Sequence, residues 1–229
     1  MKKLFIILFA VLLAQLSIAQ NISKLSFTRA GNLEYITIGL DDFNVIFLQK
    51  DGSISQWGYD RFAARGGENY AATLDPYAGR VEYYAATDDA ALRGKIKYMG
   101  KYLVNYYASY ENESLVGKIK SIGNLQLSYY ESFENEAFKG NIKSIGGNAV
   151  TWYSSYDNEA FRGKLKSLGA TNIVYYGSFE DKEVRGKIKT LGGSSFTWYT
   201  SYDLRDYRGA MKTGTQLQII GGIKFFVGG

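Results

Sequence analysis

The feature that most constrains this chain is a 23-residue period that recurs without insertion. Cut at a recurring glycine, the copies read GKIKYMGKYLVNYYASYENESLV from Gly94, GKIKSIGNLQLSYYESFENEAFK from Gly117 and GNIKSIGGNAVTWYSSYDNEAFR from Gly140. GKLKSLGATNIVYYGSFEDKEVR follows from Gly163 and GKIKTLGGSSFTWYTSYDLRDYR from Gly186. Residues 79–93 supply the second half of an earlier unit, and Gly209-Ala210-Met211-Lys212 opens a last one. So exact a period makes each unit one supersecondary element that buries its apolar face against its neighbours.

Each unit holds two short alternating runs bounded by turn residues, the pattern of a β-hairpin. In the unit from Gly140 the runs are 138–145 and 150–156, joined by Gly146-Gly147-Asn148, with Asp157-Asn158-Glu159-Ala160 leading on. If the latter is a four-residue loop, Tyr156 faces Phe161, Ser155 faces Arg162 and Tyr153 faces Lys164. Trp152 then faces Leu165, and Thr151 faces Lys166. Apolar meets apolar in this register, whereas a one-residue slip mixes the two faces. Ile145 alone lands on the polar side, which a bulge would correct.

The predicted fold is therefore all-β: an antiparallel meander of hairpin repeats in one long twisted or curled sheet. The alternatives are a β-solenoid and a β-barrel. A solenoid would stack Lys97, Lys120, Lys143, Lys166, Lys189 and Lys212 about 4.8 Å apart. Each adjacent pair would then cost just under ~1 kcal/mol even in water. A barrel suits the 20 Tyr and 26 Gly, but would place Gly140, Gly163 and Ser144 in its lipid band. Val150, Trp152, Tyr156, Phe161 and Leu165 form the expected core face.

Four segments are expected. Residues 1–19 read as a signal peptide: Met1-Lys2-Lys3, an apolar run over 4–16, and a small-residue site at Ser17-Ile18-Ala19. Residues 20–70 read as N-terminal strands with a degenerate repeat, forming a cap. Residues 71–208 carry the repeats, and 209–229 a C-terminal capping hairpin. The leader resembles those of Bacteroidota envelope proteins, which often end in Ala-Gln. The expected location is exported, whether periplasmic, cell-surface or secreted. Without a cysteine after the cut it is not a lipoprotein, and no disulfide supports the fold. Losing Lys2 and Lys3 lowers the formal charge from +5 to about +3, too mild to indicate nucleic acid.

With no His and no Cys, the usual catalytic triads, thiolate sites and zinc sites cannot be built. Glu111, Glu134, Asp157, Glu180 and Asp203 are copies of one turn position and read as solvated turn acids. No enzyme activity, cofactor or metal is expected.

The spacing resembles that of MORN repeats, which share the period and the hairpin per unit. The matching residues are Tyr129-Phe133-Gly140, Trp152-Tyr156-Gly163 and Tyr175-Phe179-Gly186, within a span of 81–212. The Gly-x-Gly pair of the MORN pattern is Gly-Lys-Ile-Lys here. The resemblance implies a scaffold, a protein-binding platform or a membrane-proximal module.

Tyr107, Tyr130, Tyr153, Tyr176 and Tyr199 occupy one repeat position without exception, with Lys118, Lys164 and Lys187 across the expected register. A solvated strand face would accept Thr or Val as readily. These eight residues are the candidate ligand-binding set, an aromatic and cationic stripe for an envelope polysaccharide or protein. Membrane association is not favoured, and self-association is left open.

Overall fold

The computed structural model describes residues 20–41 and 43–228, so the expected leader lies outside the described residues. The chain begins with β1 (Asn21–Phe27), β2 (Leu33–Gly39), β3 (Asn44–Leu48) and β4 (Ile54–Tyr59). A one-turn helix, α1 (Arg61–Ala64), follows, its start capped by the Asp60 carboxylate, which accepts from the Phe62 and Ala63 amides. The repeats supply β5 (Val81–Tyr83), β6 (Ile96–Met99), β7 (Tyr102–Tyr106), β8 (Ile119–Ile122) and β9 (Leu125–Tyr129). Next come β10 (Ile142–Ile145), β11 (Asn148–Trp152), β12 (Leu165–Leu168), β13 (Thr171–Tyr175) and β14 (Ile188–Leu191). The array ends in β15 (Ser194–Ser195), β16 (Thr197–Trp198) and β17 (Met211–Thr213), and the chain in β18 (Leu217–Ile220) and β19 (Ile223–Val227).

The repeats form one 11-stranded antiparallel meander, β5 to β15 in sequence order, with β16 and β17 paired beyond it. It is neither a parallel solenoid nor a closed barrel. Each hairpin turns on a glycine at φ between +54° and +60° (Gly100, Gly123, Gly146, Gly169, Gly192), a conformation in which a side chain would clash with its own backbone.

Trp152 faces Leu165 as expected, but Thr151 faces Ser167, because Lys166 is the extra residue of a bulge. The same shift recurs at Lys143, between β9 and β10. The bulge returns Ile145 to the buried side together with Ile142. In four successive hairpins a donor from the second strand reaches the carbonyl ten residues back, beside the bulge. Tyr129 Oη, Trp152 Nε1, Tyr175 Oη and Trp198 Nε1 each lie 2.8 Å from the carbonyls of Ile119, Ile142, Leu165 and Ile188 respectively. Tyr and Trp interchange at this position because each brings an aromatic body and one donor.

The strands are shorter than the predicted runs 138–145 and 150–156. Residues 153–164 leave the ladder once Tyr153 has exchanged bonds with Lys164 and Gly163. Tyr156, expected in the core, is 94% exposed.

The two ends of the chain do not cap the array separately. They join in a second sheet of order β18-β19-β1-β2-β3-β4, in which β1 and β19 pair in parallel. Ile54–Tyr59, read as part of a degenerate repeat, is the edge strand of this sheet. It covers the apolar face of the meander. Leu25, Phe27, Ile36, Ile46 and Phe225 share one buried cluster with Ile119, Ile142, Leu165 and Ile188. Both sheets are thus legs of a sandwich.

Two hairpin tips of the cover sheet key into the meander. The Lys50 carbonyl accepts from the Ile142 amide at 2.8 Å, and a side chain at Gly52 (φ +81°) would strike the Tyr129 hydroxyl. Two units further on, a side chain at Gly31 would meet the Gly186 carbonyl. Asn141 stands where four other units have lysine, at the point where the Lys50 carbonyl enters.

Candidate functional site

Three rows run along the array, one residue per unit. The first is the predicted tyrosine row. Tyr107, Tyr130, Tyr153 and Tyr176 are half-buried and donate to carbonyls of the following unit: Leu127 (3.5 Å), Val150 (3.1 Å), Ile173 (2.9 Å) and Phe196 (2.9 Å). Lys120, Lys143, Lys166, Lys189 and Lys212 sit 5.1–5.4 Å from the centroids of Tyr107, Tyr130, Tyr153, Tyr176 and Tyr199. Contacts of this kind contribute about 0.5–1 kcal/mol each at such sites. This row joins neighbouring units, which gives a physical reason for its uniform tyrosine.

The second row is Lys118, Lys164 and Lys187. These lysines do not lie over the five tyrosines; they lie over Tyr129, Tyr175 and Trp198, at 5.0, 5.4 and 4.7 Å. Lys118 Nζ donates to the carbonyls of Gly140 (3.0 Å) and Asp51 (3.2 Å). Lys164 Nζ donates to those of Gly186 (2.7 Å) and Ala30 (2.6 Å), and Lys187 Nζ to that of Arg29 (3.2 Å). They fasten the cover sheet to the meander. Burial, and then the neighbouring Lys187 charge, push Lys164 down to about 8.

The sign of the resulting pH effect is definite. Between about pH 8 and the ordinary lysine value of 10.5 the unfolded chain binds more protons at Lys164 than the folded one, so stability rises with pH there. Tyr129 and Tyr175 oppose this above pH 10, since burial raises both and the unfolded state ionises first. Thermal melts are therefore expected to show a stability rise above pH 8 in the wild type that is smaller in Lys164→Gln, the remainder coming from Lys95, Lys118 and Lys187, which burial also lowers.

The third row was read from sequence as core, yet its rings are the most exposed large hydrophobic side chains among the described residues. Tyr110, Phe133, Tyr156, Phe179 and Tyr202 are 81–99% exposed. Each stands on a loop that its own side chains hold. The Asp157 carboxylate accepts from the Ser154 amide at 2.6 Å, and Glu134 does the same for Glu131. Such local bonds compete with strand pairing, which is why the ladder stops.

The loops also bond to each other. Asn135 Oδ1 accepts from the Ser155 amide (2.9 Å), Asn158 Oδ1 from Ser178 (3.0 Å) and Asp181 Oδ1 from Ser201 (3.0 Å). The row is accordingly a fixed comb along one edge of the sandwich. A signal for it was present. This position is aromatic in all five units and never aliphatic, whereas the core position of Val104, Leu127, Val150, Ile173 and Phe196 mixes both.

A 540 Å³ cleft between β4 and the first units is walled by Trp57, Ile54, Ile96 and Tyr106. Its lysines, Lys95 and Lys118, donate to the carbonyls of Gly117 and Gly140. Among the described residues no cluster of three or more His, Cys, Asp or Glu could hold a metal, and no helix is long and apolar enough to cross a membrane. Comparison with protein-family models, curated proteins and solved structures found no match.

Proposed function

We propose that the protein is a non-enzymatic, exported binding or scaffolding module of the cell envelope, a MORN-like hairpin array that presents the Tyr110–Phe133–Tyr156–Phe179–Tyr202 comb to an extended partner. One observation carries this reading: five consecutive units each hold an aromatic ring 81–99% exposed on a braced loop. Keeping such rings in water gains nothing for folding, and regular exposed apolar rows mark interaction surfaces. A polysaccharide and a protein are the two classes of partner such a surface suits.

Export is tested by intact mass. Protein recovered from the envelope or medium is expected to begin at Gln20, and a mass that includes residues 1–19 would refute export. Binding is tested with the triple variant Phe133→Ser, Tyr156→Ser, Phe179→Ser. These side chains bury little, so the melting temperature is expected to stay within a degree or two while retention on immobilised envelope material falls at least tenfold. Equal retention by wild type and variant would remove the comb from the function.

A further inference from the structure

Resting on that reading of the comb as the contact surface, we infer that its ligand is a neutral, extended β-linked glycan, engaged at one disaccharide per unit. The spacing comes first. Successive loops are two strands apart, so the rings recur about every 9.6 Å, and the Asn135–Ser155, Asn158–Ser178 and Asp181–Ser201 bonds hold them there. In an extended β-linked hexose polymer, alternate sugars turn the same face outward, and the disaccharide length is close to this pitch. A glycan can therefore stay in step with all five rings. A folded protein partner without a matching repeat has no such period, and a bilayer requires none.

The choice of side chain points the same way. Tyr and Phe alternate strictly along the comb, and no unit has Leu, Ile or Val there. A surface that only needed apolar bulk would accept those residues. A ring face, negative at its centre, suits the polarised C–H groups of a sugar, and Tyr and Phe supply it equally.

Charge then selects among polymers. Each loop carries at least two carboxylates: Glu111 and Glu113, Glu134 and Glu136, Asp157 and Glu159, Glu180 and Glu183, Asp203 and Asp206. Bases stand on the later loops (Lys139, Arg162, Lys182, Arg185, Arg205 and Arg208), and Lys120, Lys143, Lys189 and Lys212 pair with Glu111, Glu134, Glu180 and Asp203. The edge is therefore close to charge-balanced and holds no surplus of cations for an anionic glycan or a phosphate headgroup, whereas neutral sugar hydroxyls find carboxylate acceptors beside each ring. Contacts weak at one ring become appreciable when several act on one chain.

The test is isothermal titration of the purified protein with cello-oligosaccharides of increasing length, alongside dextran sulfate and phosphatidylglycerol vesicles. Affinity is expected to rise severalfold with each added disaccharide, to fall at least tenfold in the Phe133→Ser, Tyr156→Ser, Phe179→Ser variant, and to exceed that for either anionic probe. No binding of the oligosaccharides, affinity independent of their length, or stronger binding of an anionic probe would overturn the glycan assignment. Comb-dependent retention on protease-sensitive envelope material, with no oligosaccharide binding, would likewise overturn it while leaving the contact-surface reading in place. Loss of both would end both.

Discussion

Trp152→Ala is expected to destabilise the protein by about 3–5 kcal/mol, the range for deleting a large aromatic from a packed core. Trp152 is 5% exposed, and its indole N–H holds the Ile142 carbonyl at 2.8 Å. Two further substitutions separate volume from hydrogen bonding. Trp152→Phe removes the donor and leaves a buried acceptor short of a partner, a loss of about 1–3 kcal/mol. Trp152→Tyr should cost less than Trp152→Phe, because Tyr129 and Tyr175 make the same bond from the same position in adjacent units. Urea denaturation of the three variants checks the order. If Phe is tolerated as well as Tyr, the donor is not what selects this residue.

The second large effect concerns whole units. In a free repeat array, stability is roughly a sum of local and nearest-neighbour terms, and any unit can be removed at similar cost. Here the cover sheet keys its tips to Ile142 and to Lys164 and Lys187, so the units between those points have a fixed number. Deleting residues 140–162 should leave a soluble β-rich chain in which only one tip can dock, lowering stability by several kcal/mol as apolar area beneath the other is exposed. Deleting residues 94–116 spares both tips and should cost clearly less. Deleting only residues 140–147 removes β10 with its turn, reverses every later strand and should abolish folding. Calorimetry and circular dichroism distinguish the three. Equal losses for the two whole-unit deletions would show that the cover sheet does not set the count.

The meander was legible because its signals are local. The glycine turns, the Trp152–Leu165 register and the displaced Ile145 that called for a bulge all join residues less than one period apart. The cover sheet was not. Pairing of β1 with β19 joins residues about as far apart as the chain allows, and neither strand carries a mark of its partner. The site was half legible. Repetition drew attention to aromatic positions, but alternation alone cannot tell that Asp157 and Asn158 fold their loop before Tyr156 reaches a partner strand. Tyr153, read as outward, turned out to join units. Tyr156, read as inward, stands in solvent.

The parallel pair of β1 and β19 also sets an order of events. As the chain emerges from its N-terminus, the meander can zip up hairpin by hairpin from short-range contacts, the fast kind. β1 cannot complete its sheet until Val227, the partner of Phe27, has been made. Until then Leu25 and Phe27 lie on a strand with one side unpaired, the sort of edge that recruits foreign strands. Bringing those ends together closes a loop of roughly the whole chain, a cost that grows only as the logarithm of its length. Commitment to the native state therefore waits for β19, and a ribosome that stalls short of it releases a nearly finished array whose covering layer is still open.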